Sequence, residues 1–247
     1  SEGNLFCSAH KVLGKKGAAG VDRQTVHDFT EHEREELQRL HQQLRDGDYR
    51  PAPVRRSWIP KPGSSEKRPL GIPTVRDRVA QEVLRRLLNP LFEPLFHNDS
   101  HGFRPGRSCH TAMERLLEIA GDRHRHVLDA DIKGFFDQIP FHVIMEGLTN
   151  VVADGNILRL VERFLKAGVM EDGVFHPTTV GTPQGGVLSP LLANLLLDQL
   201  DRELAWMGRL FDVVGLDVGD LPDVARVLAQ RVAAQLALVR ALEMLFL

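Results

Sequence analysis

The stretch that most restricts how this chain can fold is 127–140, VLDADIKGFFDQIP. Its first six residues alternate apolar and acidic side chains with a period of two, the pattern of a strand with one covered face. Asp129 and Asp131 then share one face, and Leu128 and Ile132 the other. Gly134 ends the alternation and permits a tight turn, after which Phe135 and Phe136 supply bulk and Asp137 returns a carboxylate. Two readings stay open at this point. A carboxylate at the end of a core strand, followed by a turn and aromatic walls, can hold a hard cation; the same pattern also describes a half-buried strand with solvated acids.

With 247 residues the chain has ample length to bury a core, as one large domain or two small ones. Cys7 and Cys109 form neither a disulfide framework nor a ligand cluster, which fits a reducing compartment. No apolar run reaches bilayer length, and the first residues lack the order of a signal peptide, so the sequence reads as cytoplasmic with no membrane role. A net charge of −2 excludes a uniformly basic protein, but the average hides segregation. Between Arg50 and Arg125 there are 15 Lys and Arg against 8 Asp and Glu. Such an excess suits a phosphate-bearing partner, although a solvated basic surface has the same composition.

Residues 1–19 show no clear periodicity and are expected to be a flexible or partner-ordered lead-in. Thr30 and Glu33 have the spacing of a capping box, opening a helix whose Leu37, Leu40 and Leu44 share a face and which ends near Gly47. Pro51, Pro53, Pro60 and Pro62 bracket a strand over 54–59 that reads as an edge strand. A second strand begins at Lys67, giving a hairpin that carries Arg55, Arg56, Lys61, Lys67 and Arg68. It can close over a triphosphate or serve as a plain surface hairpin. The spacing predicts a helix over 77–95, ended or kinked near 88–89 by Pro90, then a loop over 98–108 with Arg104, Arg107 and Ser108, and a helix over 111–119. Helices are predicted over 142–148, 157–167 and 191–204, with a short hairpin turning near 171–173. The segment 181–190, GTPQGGVLSP, allows close approach of backbone to a ligand and offers the Gln184 amide.

Together these motifs resemble the reverse transcriptases encoded by bacterial group II introns. The residues concerned are DIKGFFD at 131–137, GTPQGGVLSP at 181–190, WIPKP at 58–62 with KRPLGIP at 67–73, and HGFRPGRS at 101–108. Gly20-Val21-Asp22 and the helix after it resemble the family's N-terminal extension, and the likeness runs from about Gly17 to Trp206. It implies an α+β fold, the fingers and partial palm of a right-hand polymerase, helix-rich with a small antiparallel sheet. The divisions expected are 20–126 for the N-terminal extension and fingers, 127–206 for a partial palm and 207–247 for a divergent helical tail. By the same resemblance Asp131 is a catalytic, metal-binding carboxylate and the Ile132 carbonyl helps hold a second Mg2+. Phe136 sits under the incoming sugar and selects deoxynucleotides, Gln184 lines the nucleotide pocket, and Lys61 and Arg68 contact the triphosphate. Arg55, Arg56, Arg104, Arg107 and Ser108 contact nucleic acid. The implied reaction is two-metal addition of dNTP to a DNA primer on an RNA template, with intron RNA as a further partner.

The sequence departs from the family at its next motif, an aromatic-Ala-Asp-Asp hairpin that delivers the remaining carboxylates. No such tetrapeptide occurs here, and Asp217 and Asp220 stand three apart with a glycine between them. The expectation is a truncated or frame-altered relative with little polymerase activity, or else a module that binds intron RNA without catalysis.

Overall fold

The computed structural model describes residues 2–61, 63, 65–120, 132, 135–182 and 185–214. The chain divides into two compact units, Ser1–Pro94 with Gly134–Ala193, and Leu95–Lys133 with Asn194–Leu247. In the first unit the chain opens with helix α1 (Glu2–Leu13) rather than a flexible lead-in. Leu5, Ser8 and Ala9 make its buried stripe, too short and too mixed in polarity to read as a period. Helix α2 (Val26–Glu31) follows. The capping box belongs to Thr25 and Asp28, not to Thr30 and Glu33: Asp28 N–H donates to Thr25 Oγ1 at 3.2 Å, and Thr25 N–H to Asp28 Oδ2 at 2.8 Å. Thr30 lies inside the helix and donates to the Val26 carbonyl. Helix α3 (Glu33–Asp46) ends as expected on Gly47, at φ 72°.

Strands β1 (Val54–Pro60) and β2 (Lys67–Ile72) form the antiparallel hairpin. Helix α4 (Val75–Phe92) follows. After it in this unit come α6 (Phe135–Gln138), α7 (Phe141–Thr149), α8 (Gly155–Leu165), β3 (Val169–Glu171) and β4 (Val174–His176), with α5 (Cys109–Ala120) belonging to the second unit. Asp172 and Gly173, both at positive φ, make the two-residue turn between β3 and β4. The strand order is β2-β1-β3-β4, and β1 pairs parallel with β3. The sheet is therefore mixed rather than antiparallel, and β1 is interior rather than an edge. Its prolines do not prevent this, because Pro51 and Pro53 precede the strand and the pairing with β3 uses only Val54 and Arg55.

Helix α4 is the spine of this unit. Val75, Val79, Ala80, Leu84, Leu88 and Phe92 are all buried on it, and α1 packs against it. It runs through Pro90, so of the end or kink expected there, an end is ruled out. A proline inside a helix costs about 3 kcal/mol or more. Leu88 and Phe92, almost fully buried on either side, recover roughly 1.5–3 kcal/mol each. The helix then closes with Glu93 N–H on the Asn89 carbonyl at 2.8 Å.

Three polar groups sit among these apolar ones. Asp77 is 1% exposed and accepts hydrogen bonds from Tyr49 Oη (2.7 Å), Thr74 Oγ1 (2.7 Å) and Ala52 N–H (3.3 Å). Gln81 lies one turn further on, with Glu82 beside it. Glu82 is clasped by Arg85, through Nε and Nη2 at 2.7 Å each, and by Lys11 of α1 at 3.0 Å.

In the second unit, α5 and the later part of α9 (Ser189–Val214) flank the loop 95–108. Asp198 on α9 accepts the His97 N–H at 2.7 Å, and Asn194 Nδ2 donates to the Gly102 carbonyl at 2.8 Å. The expected strand at 127–131 and tail helix over 222–247 lie outside the described residues. No helix among the described residues is long and apolar enough to cross a membrane.

Glu82 yields a pH prediction. Burial alone pushes its carboxyl up, but the hydrogen bonds from Arg85 and Lys11 outweigh that and hold it below the ordinary 4.5. Its contribution is therefore present above that value and is lost as pH falls through the depressed one. Urea unfolding of Glu82→Gln at neutral pH is expected to show a loss of about 2 kcal/mol. The difference from wild type should narrow on acidification below about pH 4.5.

Candidate functional site

The hairpin register sorts its cations onto two faces. Ile59 pairs with Arg68, Ser57 with Leu70 and Arg55 with Ile72, so these six side chains share one side of the sheet. Lys61 continues that side, its N–H donating to the Glu66 carbonyl at 2.9 Å. Arg56, Trp58, Lys67 and Pro69 take the other, where Trp58 Nε1 donates to Glu171 at 2.9 Å.

The segment that begins at Gly181 runs against the Arg68 side. Gly185, at φ 104°, lies so close to β2 that a Cβ there would stand 2.7 Å from the Gly71 carbonyl oxygen and 2.8 Å from Leu70 Cδ1. At its other end the segment is stitched to the turn after Phe135: Gly181 N–H donates to the Ile139 carbonyl (2.8 Å) and Thr182 N–H to that of Phe136 (2.7 Å). Gly181, at φ 84°, presses on the Asp137 backbone, where a Cβ would meet oxygen at 2.7 Å and Cα at 2.9 Å. Both glycines are thus required twice, for a left-handed backbone and for close approach. Phe136 is half-buried and meets Phe135 edge-to-face with centroids 5.6 Å apart. Three separated sequence motifs therefore converge in the first unit: the cationic hairpin, the diphenylalanine turn and the glycine-rich segment.

Arg68 is exposed, and its side chain makes no hydrogen bond or ion pair among the described residues. Lys61 Nζ is 2.6 Å from Glu66 Oε2, an exposed pair worth about 0–1 kcal/mol that a phosphate can outcompete. Arg55 donates through Nε and Nη2 to the Ala19 carbonyl at 3.0 and 2.8 Å, and Arg78 reaches the Ala18 carbonyl, so the two hold a strap of small residues across the root of the hairpin. Gly20 in that strap lies against Thr74, where a Cβ would be 2.6 Å from its Cα. Arg56 is half-buried, 3.9 Å from Glu171, and its guanidinium carbon is 6.0 Å from the Trp58 ring centre.

Arg104, expected to contact nucleic acid, is engaged within its own loop. It is 7% exposed and donates through Nη1 to the carbonyls of His97 (2.6 Å) and Ser100 (2.9 Å), with its guanidinium over the Phe96 ring. Its charge holds the loop together rather than facing a ligand. Arg107 donates to the Asn98 carbonyl. Ser108 caps α5 reciprocally with Thr111, Ser108 N–H to Thr111 Oγ1 at 2.9 Å and Thr111 N–H to Ser108 Oγ at 3.3 Å. Asp131 and Gln184 lie outside the described residues; Ile132 is half-buried. Sequence reading passed over Gln81, although polar residues at 77 and 81, four apart on an otherwise apolar stripe, are a signal of buried hydrogen bonding.

Residues 59–209 match the family described as reverse transcriptase (RNA-dependent DNA polymerase). The group II intron-encoded protein LtrA of Lactococcus lactis subsp. cremoris is 43% identical over 210 residues, which is 84% of this chain and 34% of that protein. Protein YkfC of Escherichia coli K12 is 36% identical over 203 residues, 80% of this chain and 53% of that protein. The chain thus spans about a third of one curated relative and about half of the other. A chain of the solved "Partial Cas6-RT-Cas1--Cas2 complex" shares the fold with a TM-score of 0.52 at 21% identity, covering 82% of this chain and 33% of that one.

The close approach at Gly181 is directly testable. Gly181→Ala adds a backbone clash to the cost of a left-handed residue and is expected to lose about 2–4 kcal/mol in urea unfolding. Gly173, at φ 83° with open space around it, is the control, and its alanine variant should lose only about 1 kcal/mol.

Proposed function

This chain belongs to the reverse transcriptase (RNA-dependent DNA polymerase) family, and from that premise we propose that it is the nucleotide- and template-handling part of an enzyme of group II intron type. The observation that supports this best is the packing of the glycine-rich segment, itself hydrogen-bonded to the Phe136 turn, against the Leu70 side of the hairpin, the side that carries Lys61 and Arg68. A deoxynucleoside triphosphate brings about four negative charges, and exposed cations on a two-stranded arm neutralise them without a large desolvation cost. In this reading Lys61 and Arg68 take the triphosphate, Gln184 lines the pocket and Phe136 underlies the sugar, excluding a 2′-hydroxyl by bulk. The family resemblance assigns contacts with nucleic acid to Arg56 and Arg55 in the first unit and, separately, to Arg107 and Ser108 in the second.

The family's chemistry uses two Mg2+ ions, which supply Lewis-acid stabilisation of the attacking and leaving oxygens. The donors that the resemblance assigns here are one carboxylate, Asp131, and one carbonyl, Ile132. Mg2+ demands near-octahedral oxygen coordination, and two of them need several shared carboxylates. This donor set does not fit a two-metal site, and the adjacent acids that would complete it are absent from the 247 residues. We therefore assign binding and orientation of nucleotide and template to this chain, and not the transfer step.

The missing acids also favour a second reading, a maturase-like module that holds intron RNA without catalysis, for which the basic excess between Arg50 and Arg125 suffices. Primer extension on an RNA template with magnesium tests both. The 247-residue chain is expected to give little or no incorporation; robust incorporation abolished by Asp131→Ala would show that the transfer step is here after all. Fluorescent dNTP binding, weakened about tenfold in Arg68→Ala, supports the nucleotide reading. Salt-dependent intron RNA binding with no dNTP binding supports the RNA-only module instead.

A further inference from the structure

We infer that Gln81, on the buried face of α4, is a positioning residue for the nucleotide segment; the inference rests on the nucleotide reading above and deepens it. Gln81 is 6% exposed and touches neither the hairpin cations nor the diphenylalanine turn through any hydrogen bond described. Its Oε1 instead accepts the N–H of Leu188 at 3.3 Å, at the far end of the segment from the Gly181 and Thr182 bonds. The segment is therefore pinned at three places: its start by the Phe136 and Ile139 carbonyls, its middle by contact with Leu70 and Gly71, and its end by Gln81. In the nucleotide reading this segment carries Gln184 in its sequence, and one of the pins that hold the described part of the segment is a side chain on a different helix.

A second observation points to the same residue. Gln81 and Thr182 both line a cavity of about 20 Å³, together with Asp77, Ser189 and apolar side chains of α8 and α9. Thr182 is 2% exposed, and its buried Oγ1 has no hydrogen-bond partner among the described residues. An unpaired buried hydroxyl is costly and uncommon, and one facing a cavity of about one water's size is the arrangement in which a water bridges polar neighbours. Gln81 has an amide NH2 to offer such a bridge while its oxygen holds Leu188. α4 would then grip both ends of the segment through one side chain, directly at Leu188 and through solvent at Thr182. A Gln rather than an apolar residue at this point of the stripe is what that grip requires, because it alone presents donor and acceptor at the same reach.

The test uses the full chain and three variants. Gln81→Met and Gln81→Asn both withdraw the acceptor from Leu188, one by chemistry and one by reach, so either suffices if the other does not fold; Gln81→Glu keeps an oxygen there. Amide exchange of a peptide covering 185–191 is expected to rise about tenfold in the withdrawing variants. Affinity for a fluorescent deoxynucleoside triphosphate should fall about fivefold to tenfold. Gln81→Glu keeps the acceptor for Leu188 but loses the donor, so its exchange over 185–191 is expected to rise less than in the other two variants. Faster exchange with unchanged affinity, or no change in either in a folded variant, would overturn the inference and leave the nucleotide reading standing. A wild-type chain that binds no nucleotide while showing the exchange effect would overturn that reading, and the positioning role with it.

Discussion

One buried carboxylate holds the first unit together at the place where its parts join. Asp77 receives the phenol of Tyr49 from the connection after α3, the Ala52 N–H from the entry to β1 and the Thr74 hydroxyl from the exit of β2. Its own N–H returns to Thr74 as the cap of α4. Burial pushes its carboxyl up, and the three donors only partly offset this; the same burial, with Asp77 beside it, keeps the Tyr49 phenol far above its ordinary range. A lone buried carboxylate is costly, and removing any of these donors would leave the others to bear it. The root of the hairpin is therefore a polar knot, whereas its far end is exposed.

That contrast suits an arm that must keep its direction while its tip engages a ligand. The strap of Ala18 and Ala19, held by Arg55 and Arg78, braces the same root from outside. Arg78 is partly buried there, which lowers its basicity, yet the carbonyls of Pro73 and Ala18 keep its donors occupied. Charge in this unit thus divides into two kinds. Arg55, Arg78, Arg85 and Lys11 are engaged by protein oxygens, while Lys67 and Arg68 are exposed on β2. Net charge sees only the sum, so the basic excess of the region overstates the number of cations a phosphate could meet.

Much of the local structure was legible. The hairpin, the Gly47 stop, the Asp172-Gly173 turn and the amphipathic helices follow from residue spacing, because turn chemistry and periodicity act over a few residues. Helix α1 was not legible, since its stripe of Leu5, Ser8 and Ala9 becomes apolar enough only against α4. That the helix continues past Pro90 was not legible, because the burial of Leu88 and Phe92 is a tertiary quantity. The contacts of Arg104 were not legible for the opposite reason: a cation in a glycine-rich loop looks open in sequence, and only the folded loop shows the carbonyls it serves.

What residue order alone determined is the family, since its motifs are contiguous in sequence. It also determined that the later acids are missing. Only the tertiary structure decided that the glycine-rich segment lies on the Arg68 side of the hairpin, that β1 is interior, and that Gln81 on a distant helix holds Leu188. The physical reason is range. Propensity and turn rules act over a handful of residues, whereas a hydrogen bond across 107 positions exists only once two elements have been packed together.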